Sequence, residues 1–182
     1  MLSLLFVGAA LAASPEQFVE RVQGRFDAIR AVAAGGREAA CRSLVADLFD
    51  VRAVAEGAGG PAWKKLGAPL KTAMEGAVRR RLVGECVDVA ERPATGPGVV
   101  RKVKEIAGGI RLTVQFPADG GNGAVFVWTL RGGGALGYTA RDLSVDGRGL
   151  VATLRADFEA ALAVHDGNAG EAIGDLGRSR SS

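Results

Sequence analysis

Apolar positions recur along this chain with two different periods, and the change of period divides it in half. The first half is helical. Phe18, Val22, Phe26, Ile29 and Ala33 mark one face of a first helix. Ser14 followed by Pro15 is a helix start, an N-cap residue and then proline at the first helical position, and Gly35-Gly36 predicts the end. A second helix is predicted over about residues 37–56, with Cys41, Leu44, Val45, Leu48 and Phe49 inward. The glycines from 57 to 60 and Pro61 are expected to break it. A third helix begins at about residue 62 or 68 and runs to 86. Pro69 favours the later start, since proline is poorly tolerated inside a helix. Leu66, Leu70, Met74, Val78 and Leu82 point inward from it.

Beyond a loop at Pro93–Gly98 the period falls to two. Val99–Ala107 reads as a strand, Gly108-Gly109 as a hairpin turn, and Ile110–Phe116 as a second strand. In that strand Ile110, Leu112, Val114 and Phe116 point in, and Arg111, Thr113 and Gln115 point out. Pro117–Gly123 is a turn, and Ala124–Leu130 is apolar on both faces, as in a covered strand. A glycine-rich turn, Arg131 to Leu136, leads to a fourth strand over residues 137–145. There Arg141, Leu143 and Val145 are expected on one side and Ala140, Asp142 and Ser144 on the other. Gly147 and Gly149 end the alternation. Leu150, Leu154, Phe158 and Leu162 then return every four residues, one face of a long amphipathic helix. Helices, then a four-stranded antiparallel meander, then a C-terminal helix packed on it make an α+β fold. Two apolar layers face each other with a space between them.

Two stretches carry a resemblance. Asp142, Leu143, Val145, Asp146, Gly147, Leu150, Arg155 and Phe158, with Gly167 and a last helix reaching Leu176, form one pattern; Phe49, Asp50, Ala53, Val54, Gly60 and Trp63 form the other. In order and spacing they resemble the MlaC, or toluene-tolerance, family of periplasmic phospholipid-binding proteins, auxiliary components of an ABC transporter. The resemblance covers roughly residues 15 to 177. Arg148 and Gly149 stand where the family often has Val and Ser, and Tyr138 where Trp is common, so the match is to a divergent member. It implies a nuclear-transport-factor-like cone with a lipid cavity, holding acyl chains between helices and sheet with the headgroup near solvent. It also implies two partners, an outer-membrane lipoprotein complex and an inner-membrane ABC lipid transporter, between which phospholipid is shuttled.

With 182 residues the chain is long enough for one domain with a sizeable core and short for two. Residues 1–13 carry no charged side chain and are too short to span a bilayer, which takes about 20 apolar residues. Ala10-Leu11-Ala12 is a small-x-small cleavage pattern, so this stretch reads as a signal peptide lacking its basic n-region; a buried N-terminal helix is the alternative. No Cys follows it to carry a lipid anchor. The expected organisation is a signal over 1–13, one lipid-binding domain over 14–177 and a disordered tail over 178–182, exported and soluble in the periplasm. In an exported protein an even count of cysteines suggests a disulfide between Cys41 and Cys86; two buried thiols on separate helices are the alternative.

Catalytic patterns are missing. The single histidine, His165, sits at a helix edge near Gly167, with no triad or metal set around it in sequence, which suits a structural or surface role. Asp142 and Asp146 are four residues apart on a strand, about 13 Å, too far to act on one bond. Asp142 is expected to anchor a turn or to pair with an arginine such as Arg155. The triple glycine at 132–134 precedes a strand, so it is no phosphate cradle. No catalytic residue, metal or cofactor is expected. Net charge is +3, with basic clusters at Lys64-Lys65, Arg79-Arg80-Arg81 and Arg101-Lys102-Lys104. Few aromatics are interleaved with them, so nucleic acid is not an expected partner; a solvated face or a rim meeting anionic headgroups remains.

A carrier has a physical rationale. Taking a two-chain lipid through water exposes about 30 methylenes at ~0.8 kcal/mol each, on the order of 20 kcal/mol. A dry container lined by Leu66, Leu70, Met74, Val78, Leu82, Leu112, Val114, Phe116, Phe126, Trp128, Leu154 and Phe158 would remove that cost. Each of these positions also suits ordinary core packing. The expected function is a non-enzymatic carrier of phospholipid. The alternatives are a hopanoid-associated carrier of the same fold, a small enzyme on the same cone, and a structural adaptor with a solid core.

Overall fold

The chain enters its helical half through a reciprocal cap. The Ser14 hydroxyl accepts from the Gln17 amide at 3.2 Å, and the Gln17 side chain accepts from the Ser14 amide at 3.0 Å. Two donors that a helix start leaves orphaned are thereby satisfied. This begins α1 (Pro15–Ala31) in the computed structural model, which describes residues 13–92, 96–117 and 123–178. The expected signal peptide save Ala13, the first half of the Pro93–Gly98 loop, most of the 117–123 turn and the tail after 178 lie outside the described residues. Phe18, Val22 and Ile29 are buried as the spacing predicts. Ala33 is not, because α1 stops at Ala31 and Val32 turns extended; Gly35 and Gly36 fall inside α2 (Ala34–Leu48).

The predicted second helix is in fact two. Phe49 is extended, at φ −106° and ψ 136°, and bridges Ala140 of the sheet. Asp50 then starts α3 (Val51–Trp63). Its carboxylate accepts from the Ala53 amide at 3.0 Å, and its own N–H donates to the Ala140 carbonyl at 2.9 Å. Apolar spacing runs through this junction unbroken; the N-cap chemistry of Asp50 decides it. Gly57 to Gly59 stay helical, and the kink falls at Gly60, whose φ of +50° favours glycine. Pro61 lacks the N–H that would have bonded the Gly57 carbonyl. That carbonyl accepts instead from Arg155, from Nε at 3.0 Å and Nη2 at 2.6 Å.

Helix α4 (Ala68–Glu91) runs past residue 86 and is about 36 Å long. It touches α1, α2, α3 and α6 (Ala169–Leu176), which makes it the spine of the helical layer. Cys86 on α4 and Cys41 on α2 form a disulfide with Cα atoms 5.8 Å apart. The basic run Arg79-Arg80-Arg81 is not all solvated. Arg81 is buried, its Nε donating to Glu85 at 2.8 Å and its Nη1 to the Arg178 carbonyl at 3.4 Å.

The sheet is an antiparallel meander of β1 (Val99–Ile106), β2 (Gly109–Gln115), β3 (Val125–Gly132) and β4 (Tyr138–Val145), with a fifth strand added. That strand, β5 (Arg148–Gly149), folds back on Val145 and Ser144. The turn is Asp146-Gly147, with φ of 49° and 81°. Positive φ at both central positions suits a two-residue hairpin, so these residues close a fifth strand as well as ending the fourth. The first hairpin turns at Ala107-Gly108, one residue earlier than expected, with Ile106 opposite Gly109. Helix α5 (Leu150–Val164) meets the sheet at β4 and β5 and lies along α3 and α6. Its start is held by Asp142, whose Oδ1 accepts from the Val151 amide at 3.1 Å; Arg155 has gone to Gly57. His165, after α5, sits between Glu171 and Asp175 of α6 at 2.9 and 2.8 Å. Among the described residues no helix is long and apolar enough to cross a membrane.

Removing the disulfide with Cys41→Ser and Cys86→Ser is expected to lower the unfolding free energy by about 4 kcal/mol, the chain-entropy value for a loop of 45 residues. Urea midpoints measure it, and equal midpoints for the two proteins would refute it.

Candidate functional site

Strand pairing assigns each side chain to a face. Leu112 stands opposite Trp128, which stands opposite Leu143; Val114, Phe126 and Val145 form the next row. Ile110, Leu130 and Ala140 form the row on the other side. This face is the buried one: Leu112, Val114 and Ala140 are fully enclosed. The expected alternation of β4 therefore fails. Leu143 and Val145 share the inner face with Ala140, because a bulge at Arg141 shifts the register between Ala140 and Asp142. A bulge inserts one residue and re-phases the strand beyond it.

An aromatic row crosses this inner face. Phe116 and Phe126 lie 4.8 Å apart, Phe126 and Trp128 6.5 Å, and Phe18 of α1 stands edge-on to both Trp128 and Tyr138 at 5.8 Å. Phe49 adds a contact to Trp128 at 6.3 Å. Such edge-on and offset pairs are favoured beyond the area they bury.

The helices supply the opposing wall. Met74, Val78 and Leu82 come from α4, Leu154 and Phe158 from α5, and Leu66 from the α3–α4 connection. With Leu112, Val114 and Trp128 they form one continuous core, each with at most 8% of its surface exposed. Met74, Val78, Leu112 and Val114 are completely buried, so this part of the interior is packed. Leu70, Phe116 and Phe126 are half-buried at its margin. Leu70 faces α6, where a side chain at Gly170 would begin 4.0 Å from its Cδ2.

The margin opens at one end. A cleft of about 320 Å³ lies between α1 and the start of β1, lined by Glu16, Val19, Glu20, Gly98, Val99 and Val100. Gly98 joins the cleft to the aromatic row: a Cβ there would sit 2.7 Å from the Phe116 ring. Only a residue without a side chain lets the ring lie so close. Gln23 of α1 clasps this segment, accepting from the Gly98 amide at 3.0 Å and donating to the Gly96 carbonyl at 3.4 Å. Neither the cleft nor its clasp was legible in the periodicity. Phe18, Phe49 and Tyr138 also join the expected residues. Phe18 and Phe49 stand at inward positions of the helical pattern, but only the fold brings them to Trp128.

No family model matches the chain, and no curated protein does. The arrangement of elements places it in an α+β fold class with helices over one face of a meander. A solved member of that class is a phospholipid-binding protein from Ralstonia solanacearum in complex with a phospholipid. The two share a fold with a TM-score of 0.72 at 14% identity, over 90% of this chain and 95% of that one.

Gln23→Ala removes both clasp bonds. It is expected to cost about 1–2 kcal/mol of stability and to speed hydrogen exchange at the Gly98 amide above the global change. Unaltered exchange at Gly98 would show that the clasp does not hold this segment.

Proposed function

We propose that this protein is a non-enzymatic lipid carrier of the MlaC type, which takes up phospholipid through the cleft between α1 and β1. The observation that carries this reading is the fold shared along nearly the whole chain with a protein solved holding a phospholipid. The inner face supports it: apolar, crossed by a row of rings, and continuous at Gly98 with an open cleft. Acyl chains would enter beside Phe116 and Phe126 and move toward Trp128 as α1 swings away from the sheet. The cleft would keep the headgroup near solvent.

The carrier would work in the periplasm, between an outer-membrane lipoprotein complex and an inner-membrane ABC transporter. The Cys41–Cys86 disulfide favours an oxidising compartment. So does the uncharged opening stretch with its cleavage pattern.

Native mass spectrometry of the protein purified from a bacterial periplasm tests this. The expected spectrum shows a one-to-one adduct that extraction identifies as phospholipid. A hopanoid adduct would keep a carrier and change the cargo. A clean apo mass, with no lipid taken up from vesicles, would leave a solid-cored adaptor.

A further inference from the structure

The face of the sheet turned away from the helices is strongly basic, and pairing shows which residues share it. Arg111 and Thr113 lie opposite in sense to the buried Leu112 and Val114. Their partners on β1 are Lys104 and Lys102, and on β3 Thr129 and Val127. Arg131, two residues past Thr129, follows on the same face. Arg101 joins them through a bulge. The register of β1 shifts between Val100 and Lys102, and the Arg101 Nε donates to Gln115 at 2.9 Å, so Arg101 stands on the side of its neighbour Lys102. In an unbroken strand, consecutive residues face opposite ways, and one of these two cations would point to the apolar face. The bulge sends both outward.

Five exposed cations thus share one face: Arg101, Lys102, Lys104, Arg111 and Arg131. The single acid of β1 to β3, Glu105, pairs across with Ile110 on the other face. Among the described residues none of the five is in an ion pair. Lys104 stands directly opposite Arg111, an arrangement that weakens a sheet. Lysines on an edge strand guard against edge-to-edge pairing, which would account for β1. It does not account for Arg111 and Arg131 on inner strands.

The geometry points to a docking surface for an anionic phospholipid bilayer. A protein partner would be gripped through aromatic anchors in pockets. This face has none: Phe116, Phe126, Trp128 and Tyr138 all belong to the other side, and threonine, glutamine and valine stand between the cations. Long, flexible, unpaired cations on a flat face suit a fluid surface of negative potential, where each adds to the attraction. The strand β1 belongs to both features. Val99 and Val100 line the cleft, and Lys102 and Lys104 continue the same strand, so a docked sheet holds the cleft at its β1 edge, on the helix side, where cargo would pass around β1. That last consequence rests on the carrier reading; the docking itself does not.

Sedimentation of the full chain with phosphatidylcholine vesicles, with and without phosphatidylglycerol, tests it. Binding is expected only with phosphatidylglycerol, and is expected to fade as salt shortens the screening length. Lys102→Glu with Lys104→Glu should weaken it on the order of 100-fold. This variant places an opposite charge across from Arg111, so its melting temperature should not fall. Lys64→Glu with Lys65→Glu makes the same change in net charge away from the sheet and should lose far less. Equal losses in the two variants would mean that net charge alone attracts the protein, and would overturn the proposal. Equal binding to both vesicle types would overturn it too. So would an absence of binding to phosphatidylglycerol, which would give the face to an acidic protein. Lipid held in the core, read separately by native mass spectrometry, is expected to be the same in both variants, so failure of the carrier reading would not be mistaken for failure of docking.

Discussion

The helical layer is tied to the β4 side of the sheet through Asp50. Its carboxylate starts α3, its N–H bonds the Ala140 carbonyl, and Arg141 lies 3.5 Å from its second oxygen. Three further bonds lie along the same seam. Asp142 holds the first turn of α5, and Arg155 of that helix satisfies the carbonyl of Gly57 that Pro61 leaves without a donor. The residues that carry the family resemblance, Asp50, Gly60, Asp142 and Arg155, cluster here. They clamp helices to the β4 side of the sheet.

The opposite edge is tied more lightly. On the β1 side α1 meets the sheet at the cleft, and Gln23 supplies its side-chain bonds to the segment entering β1. Arg21 adds one bond to the Leu136 carbonyl at 3.3 Å, across on the β3–β4 turn. The two layers are thus seamed along one edge and clasped along the other. The aromatic row runs between them, from half-buried Phe116 at the clasped end to fully buried Phe18.

Much of this architecture could be read from residue order. The alternation of β2 is unambiguous, because Arg111, Thr113 and Gln115 separate Leu112, Val114 and Phe116 without exception. The helical faces of α1 and α4 are equally plain. The failures share a physical cause, which is that they depend on a partner. Phe49 fits a helical face and a strand bridge equally well until Ala140 is beside it. The phase of β4 depends on a bulge at Arg141 that exists only in pairing with β3. The role of Arg155 follows from Pro61, ninety-odd residues away in sequence and adjacent in space. The candidate liners were legible as apolar and inward, yet whether they enclose space is a matter of volume, and periodicity carries no volume. Sequence also marked Leu70 as inward without revealing that it faces α6.

A packed interior and a carrier's function are compatible if lipid can supply what the moving helix gives up. Swinging α1 away would expose Phe18, Val19, Val22 and Ile29, the residues it buries. At about 1.5–3 kcal/mol each, that costs roughly 6–12 kcal/mol. A two-chain lipid drawn from a bilayer is already out of water, so the ~20 kcal/mol that separates acyl chains in water from acyl chains in apolar surroundings opposes release into solvent and does not drive loading. What lowers the cost of opening is that bound acyl chains would cover the surface that α1 vacates. On the carrier reading, bound acyl chains take over the contacts that α1 gives up, and the closed, packed state is the form without cargo. On that reading the tight core would be the resting form of the container, and the ties of α1 through Phe18, Arg21 and Gln23 are what cargo would have to displace.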